Sequence, residues 1–174
     1  MSKPIRVSGI IPESIVDGPG IRFVLFVQGC PHHCPGCHNP DTHDFAGGYD
    51  LDIEDILEQI KREPVFGVTF SGGEPFAQAG ALLPLAEEIK KLGIHLMIYT
   101  GYTFEQLMER GDESTTKLLQ LADVLVDGRF MLEQKSLTLR FRGSANQRVI
   151  DLPETFKQEK VVISRYSVRD GEPF

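Results

Sequence analysis

The chain has 174 residues, 41% of them hydrophobic, and a formal net charge of −7. That length suits one domain with a single sizeable core and leaves little for a second. A pI near 5.2 argues against a general nucleic-acid binder, and no stretch approaches the roughly eighteen apolar residues that cross a bilayer.

The N-terminal run MSKPIRVSGIIPESIVDGPGIR lacks the apolar stretch of a signal peptide, so a cytoplasmic protein is expected, bound to neither membrane nor nucleic acid. From there strand-like and helix-like segments alternate. IRFVLFVQ, Ile21 to Gln28, is an apolar, β-rich run of the kind found in a buried strand. DIEDILEQIKRE follows, with Ile53, Ile56, Leu57 and Ile60 on one helical face and Pro64 closing it. Val65 to Phe70 reads as the next strand, GALLPLAEEIKKLG as the next helix with Gly93 at its stop, and IHLMIYT as a third strand. Thr103 and Gln106 form a capping box opening TFEQLMER, and a short helix over STTKLLQLA and a strand at DVLVD complete the series. Beyond it, Lys160 to Ser164 reads as a further strand.

The order β-α-β-α-β-α-β predicts parallel strands with the helices outside. A closed eightfold barrel needs about 250 residues, so the expected fold is α/β, a single-domain partial (β/α) barrel. Its strands place Cys30, Ser71-Gly72-Gly73-Glu74, Thr100-Gly101 and Asp127-Gly128 just past their ends, on the edge where α/β folds build active sites.

All three cysteines, Cys30, Cys34 and Cys37, lie in GCPHHCPGCHNPD, and four of the five histidines fall between His32 and His43. Crowded thiols in a reducing compartment bind metal or do redox chemistry more often than they staple a fold. Three readings stand open. Zinc completed by His38 or His43 makes a Cys₃His site. A four-iron cluster on three thiolates keeps one iron open for a ligand bringing its own donors. Three buried thiols merely pack. The Gly72-Gly73 pair lets backbone approach a ligand closely, while Glu74 suits either a bond to an ammonium or a cap on the following helix.

Cys30-x₃-Cys34-x₂-Cys37 resembles the cluster motif of the radical SAM superfamily, and SGGEPF resembles its second motif. The resemblance implies a [4Fe–4S] cluster held by the three cysteines, with S-adenosylmethionine on the fourth iron and near Gly36, His38, Ser71, Gly72, Gly73 and Glu74. Reductive cleavage there yields a 5′-deoxyadenosyl radical that abstracts a hydrogen atom. The position before the third cysteine, often aromatic in that superfamily, is Gly36, and His38 is expected to take over some adenine packing. DGPGIR (Asp17 to Arg22), VLVDGRF (Val124 to Phe130) and RGSANQRVID (Arg142 to Asp151) are together similar to the activating proteins of the anaerobic, class III ribonucleoside-triphosphate reductase.

This narrower resemblance covers about 5–151 of the single domain 1–174 and leaves 152–174 as an extension without a role. It implies a glycyl radical installed on the large reductase subunit and a one-electron donor such as flavodoxin. It also implies that Asp127 stands near the cofactor, where related activases sometimes hold a monovalent cation. Without a fourth cysteine, the chain's own thiols build no auxiliary cluster. The rival readings are a small-molecule radical enzyme such as 7-carboxy-7-deazaguanine synthase, pyruvate formate-lyase activating enzyme, which is generally longer, and a zinc or electron-carrier module. A half-barrel leaves one side uncovered, and a large polypeptide substrate would supply that wall.

Overall fold

The four apolar runs become the parallel centre of one sheet. In the computed structural model, which describes residues 3–174, they are β2 (Arg22–Val27), β4 (Gly67–Gly72), β5 (His95–Tyr99) and β6 (Val124–Asp127). Three further strands extend the sheet: β1 (Ile5–Ser14), β3 (Tyr49–Leu51) and β7 (Arg148–Asp151), in the spatial order β3-β1-β2-β4-β5-β6-β7. β1 runs antiparallel to β2, and β7 antiparallel to β6. The helices α1 (Ile53–Arg62), α2 (Ala79–Lys91), α3 (Phe104–Arg110) and α4 (Glu113–Leu121) connect the central strands, and α5 (Leu152–Gln158) follows β7. Gly93 follows α2 at φ +72°, and the Thr103–Gln106 capping box opens α3.

Strand alternation divides the core in two, because successive side chains leave a strand on opposite faces. Phe23, Leu25, Phe70, Leu96, Ile98 and Leu125 meet the helices. On the other face Met97, Val124, Val126 and Val149 pack with Tyr166. Helices therefore cover one side, and the opposite side is the inside of an open partial barrel. Among the described residues no helix is long and apolar enough to cross a membrane.

The lower end of that inner face is filled by an arginine. Arg22 is fully buried and donates to Thr69 Oγ1 (2.7 Å), Pro19 O (2.9 Å) and Val68 O (2.9 Å), with His95 Nδ1 at 3.0 Å. Burial pushes Arg22 down to about 10. Burial, with Arg22 beside it, pushes His95 down to about 4. Thr69 Oγ1 also donates to Asp17 O at 2.8 Å. DGPGIR is thus tied to β4, and its Asp17 end is held at the upper part of the inner face.

The segment after α5 contains no regular strand at Lys160 to Ser164; a single antiparallel bridge joins Ile163 to Ile150. It acts as a strap. Arg140 N donates to Val168 O (3.1 Å) and Asp170 N to Thr138 O (2.8 Å). Phe174 stacks on Phe141 with ring centroids 6.1 Å apart. The strap holds the long 129–147 loop against the inner face while Tyr166 plugs the second core.

Candidate functional site

The C-terminal ends of the parallel strands open on one cavity of about 360 Å³. Cys30, Cys34, Cys37 and His38 line it from the loop after β2; Ser71, Gly72 and Gly73 from the end of β4; Tyr99, Thr100 and Gly101 from β5. Gly128 and Phe130 follow β6, Arg142 and Gln147 come from the 129–147 loop, and Asp17 closes the side next to β1.

The cysteine loop is anchored at its base. Gly29 N donates to Thr42 O (2.7 Å) and Cys30 N to His43 O (3.1 Å), while Cys37 N turns back to Cys34 O (3.1 Å). None of the three thiols is in a disulfide. Cys30 is buried, and that burial pushes its thiol up, helped by the Glu74 carboxylate and opposed by the backbone bonds of His32 and His33. Gly36 sits at φ +74°, where a β-carbon would approach Leu132 Cδ1 to 3.0 Å and Phe130 Cε1 to 3.4 Å. An aromatic at that position would be strained by the left-handed backbone and would need the Leu132 and Phe130 side chains to shift. Ring surface comes from elsewhere: Phe130 lines the cavity beside His38, with ring centroids 5.1 Å apart.

Gly72 and Gly73 are required by the neighbouring strand. Gly72 has φ +100°, and a β-carbon there would lie 2.6 Å from Val27 N and O; one on Gly73 would collide with Gly29 O. Gly73 N donates to Val27 O (2.9 Å) and Glu74 N to Gly29 O (2.8 Å). These amides are spent on the end of β2. Among the described residues, the Gly73 carbonyl has no protein donor.

Glu74, expected to meet a ligand ammonium, is fully buried and does not line the cavity. Its Oε1 accepts from His32 Nε2 (2.7 Å) and Gly101 N (2.7 Å) and its Oε2 from Phe76 N (3.0 Å), while the single Thr100 hydroxyl hydrogen, on an oxygen 2.9 Å from both, supplies the fourth bond. The carboxylate caps the one-turn helix Pro75–Gln78 and also buckles the cysteine loop to the ends of β4 and β5. No lone pair is left for a ligand.

Three soft thiols facing one cavity are the donor set of iron–sulfur chemistry. Among the described residues, no three His, Cys, Asp or Glu side chains converge as a mononuclear metal site requires. A family model described as a 4Fe-4S single cluster domain matches residues 16–150. Over 148 residues the chain is 40% identical to the anaerobic ribonucleoside-triphosphate reductase-activating protein of Vibrio cholerae, a match covering 78% of this chain and 91% of that protein. The chain belongs to that family of activating proteins. The Escherichia coli K12 activating protein is 36% identical over 150 residues, covering 79% of this chain and 93% of its own. The pyruvate formate-lyase-activating enzyme of Clostridium pasteurianum is 42% identical over 130 residues, 71% of this chain but 55% of that enzyme. Among solved structures, QueE from Escherichia coli overlaps 57% of this chain and 54% of its own at 22% identity and a TM-score of 0.46, too slight a likeness to add to the fold described above.

In this member of the activating-protein family, Asp127 is buried and stands off the cavity. Its carboxylate accepts from Arg148 Nε (3.1 Å) and Nη2 (2.5 Å), and from Phe104 N at the start of α3 (2.8 Å). Arg148 also reaches Glu105 (2.6 Å), and the two carboxylates hold it more firmly charged than a free arginine. Sequence reasoning assigned nothing to His32, Tyr99 or Gln147. His32 lies inside the cysteine motif, which was the available signal. Tyr99 reads only as an alternating strand residue; burial, with Asp17 nearby, keeps its phenol protonated well above the ordinary range.

Proposed function

We propose that this chain reductively cleaves S-adenosylmethionine and installs a glycyl radical on an anaerobic ribonucleoside-triphosphate reductase, drawing its electron from a small donor such as a flavodoxin. One observation carries the reading: the three thiols, the glycine-ended strand β4 and the RGSANQR loop, far apart in sequence, face a single cavity. A [4Fe–4S] cluster held by the three thiols would supply the one electron that splits the 5′ carbon–sulfur bond of the sulfonium into methionine and a carbon radical able to take a hydrogen atom from a glycine Cα.

This chain's residues supply the setting. Cys30, Cys34 and Cys37 would hold three irons of the cluster and leave the fourth to the cofactor's own donors. The Gly73 carbonyl, without a protein donor among the described residues, would accept from its ammonium, and the rings of His38 and Phe130, which line the cavity, would offer packing to its adenine. Ser71 and Gly72 add backbone surface at the same strand end. Asp127 contributes through Arg148 and the start of α3, which fix the loop after β6. Val16, 72% exposed, lines the cavity and with its neighbour Ile15, 77% exposed, forms an apolar lip there. A polypeptide seated on that lip removes it from water and closes the site around the reacting carbon.

The test is stoichiometry in the reconstituted, reduced protein. Cleavage of S-adenosylmethionine to methionine and 5′-deoxyadenosine should rise when the reductase is added, with label from a Cα-deuterated glycine recovered in the 5′-deoxyadenosine. Cleavage without transfer of that label contradicts the proposal.

A further inference from the structure

The RGSANQR loop presents a cation to the cavity that nothing in the described protein neutralises. Residues 129–148 contain Arg129, Lys135, Arg140, Arg142 and Arg148 against Glu133 alone, in a chain of net charge −7. Arg148 is paired with Asp127 and Glu105, and Arg140 with Asp170. Arg142 alone among these lines the cavity. Its Nη1 donates to Gln147 O at 3.0 Å, and its Nε is buried without a partner. No carboxylate of the described residues forms an ion pair with it.

The loop is built to hold that guanidinium in place. Gln147 Oε1 accepts from Gly143 N (2.8 Å) and Ser144 N (3.1 Å), while its Nε2 donates to Gly128 O (3.0 Å). Ser144, fully buried, accepts from Met131 N (3.2 Å). The residue before Arg142, Phe141, adopts φ +65°, a left-handed conformation that is costly for a bulky side chain and occurs where surrounding structure enforces it. Burial lowers Arg142's affinity for its proton, and Arg169 nearby adds to the effect. The protein thus keeps an unpaired guanidinium at the cavity wall despite backbone strain, desolvation and like-charge repulsion, and an incoming anion would offset the last two.

We propose that Arg142 is the carboxylate-binding residue of this cavity, receiving either the cofactor's own carboxylate or a carboxylate on the polypeptide that covers it. A planar guanidinium suits a carboxylate through charge-assisted, fork-like bonds. The inference rests on the activase reading for the identity of both sources.

The test compares wild type, Arg142→Gln and Arg142→Lys as anaerobically reconstituted full-length chains, without turnover. Equilibrium dialysis measures S-adenosylmethionine and its decarboxylated analogue, and a pull-down titration measures the reductase. If the cofactor is the source, Arg142→Gln weakens S-adenosylmethionine binding roughly ten- to hundredfold, the decarboxylated analogue changes little, and Arg142→Lys recovers part of the loss. If the polypeptide is the source, cofactor affinity is unchanged and reductase affinity falls by a similar factor, losing its salt dependence. Affinities for both within twofold of wild type, at equal iron and sulfide content, overturn the proposal. Should Arg142→Gln fail to fold, Arg142→Lys decides: it retains charge but not the fork, and unchanged binding to both ligands counts as the same refutation. A wild type that binds no cofactor overturns the activase reading itself, whereas the variants alone address Arg142.

Discussion

Replacing Glu74 by glutamine separates a structural buckle from a cofactor ligand. Glutamine keeps the shape but exchanges one acceptor oxygen for an NH₂. In the structure Oε1 faces Gly101 N and His32 Nε2, and Oε2 faces Phe76 N. Whichever way the amide is turned, its NH₂ opposes a backbone N–H that has no freedom to turn away, and the remaining bonds lose their charge. A hydrogen bond to a charged group nets about 1.5–3 kcal/mol, and a buried donor left unpaired costs about 1–3 kcal/mol. The substitution should therefore cost about 3 kcal/mol, or roughly 6–12 °C in Tm for a chain of this size. The assay is thermal and urea unfolding of the cluster-free chain, so that no cofactor contributes to the signal. Stability within about 0.5 kcal/mol of wild type, together with lost S-adenosylmethionine binding after reconstitution, would refute the reasoning and restore Glu74 as a ligand.

Alanine at Cys30, Cys34 or Cys37 should each abolish the cluster's visible absorption and S-adenosylmethionine cleavage while far-UV circular dichroism stays native, since the loop lies at the rim of a core made elsewhere; a single variant that still cleaves contradicts the ligand set. Tyr166→Ala, which empties the plug of the second core, should cost about 3 kcal/mol and speed amide exchange across 129–147, and unchanged exchange there counts against the strap. Stability should also fall in mild acid. His95 is held at about 4 in the folded chain against about 6.5 unfolded, so the unfolded state carries the extra proton between those values. Stability then rises with pH across that window, by at most about 1.4 kcal/mol per pH unit. His95→Gln should flatten the slope in urea melts from pH 4 to 7, and an identical slope removes His95 as its source.

The parallel centre was legible because its signal is local. Phe23 to Val27 is an unbroken apolar run and Val68 to Phe70 a β-rich one broken only by Thr69, the mark of strands buried on both faces. β1 escaped notice because Gly9 and Pro12 interrupt it and its outer half, from Ile11 to Glu13, is exposed. β7 has four residues inside what reads as a basic loop. The cysteines and glycines were legible as a site because their spacing is itself the chemistry. The carboxylates were not. Glu74 and Asp127 stand at strand ends next to glycines, and nothing local distinguishes one facing a cavity from one turned to the protein. Their partners decide, and those lie 42 residues away at His32 and 21 away at Arg148. Phe130 likewise fills the place of an aromatic expected at position 36 across a gap that sequence spacing does not encode.

Electron paramagnetic resonance tests the central claim most directly. The reconstituted, reduced chain is mixed anaerobically with S-adenosylmethionine and its reductase, frozen, and compared with a sample whose reductase carries alanine at the target glycine. The account predicts a carbon-centred doublet on the reductase that collapses to a singlet when that glycine is deuterated at Cα and is absent from the alanine sample. Consumption of S-adenosylmethionine with no such signal would contradict it.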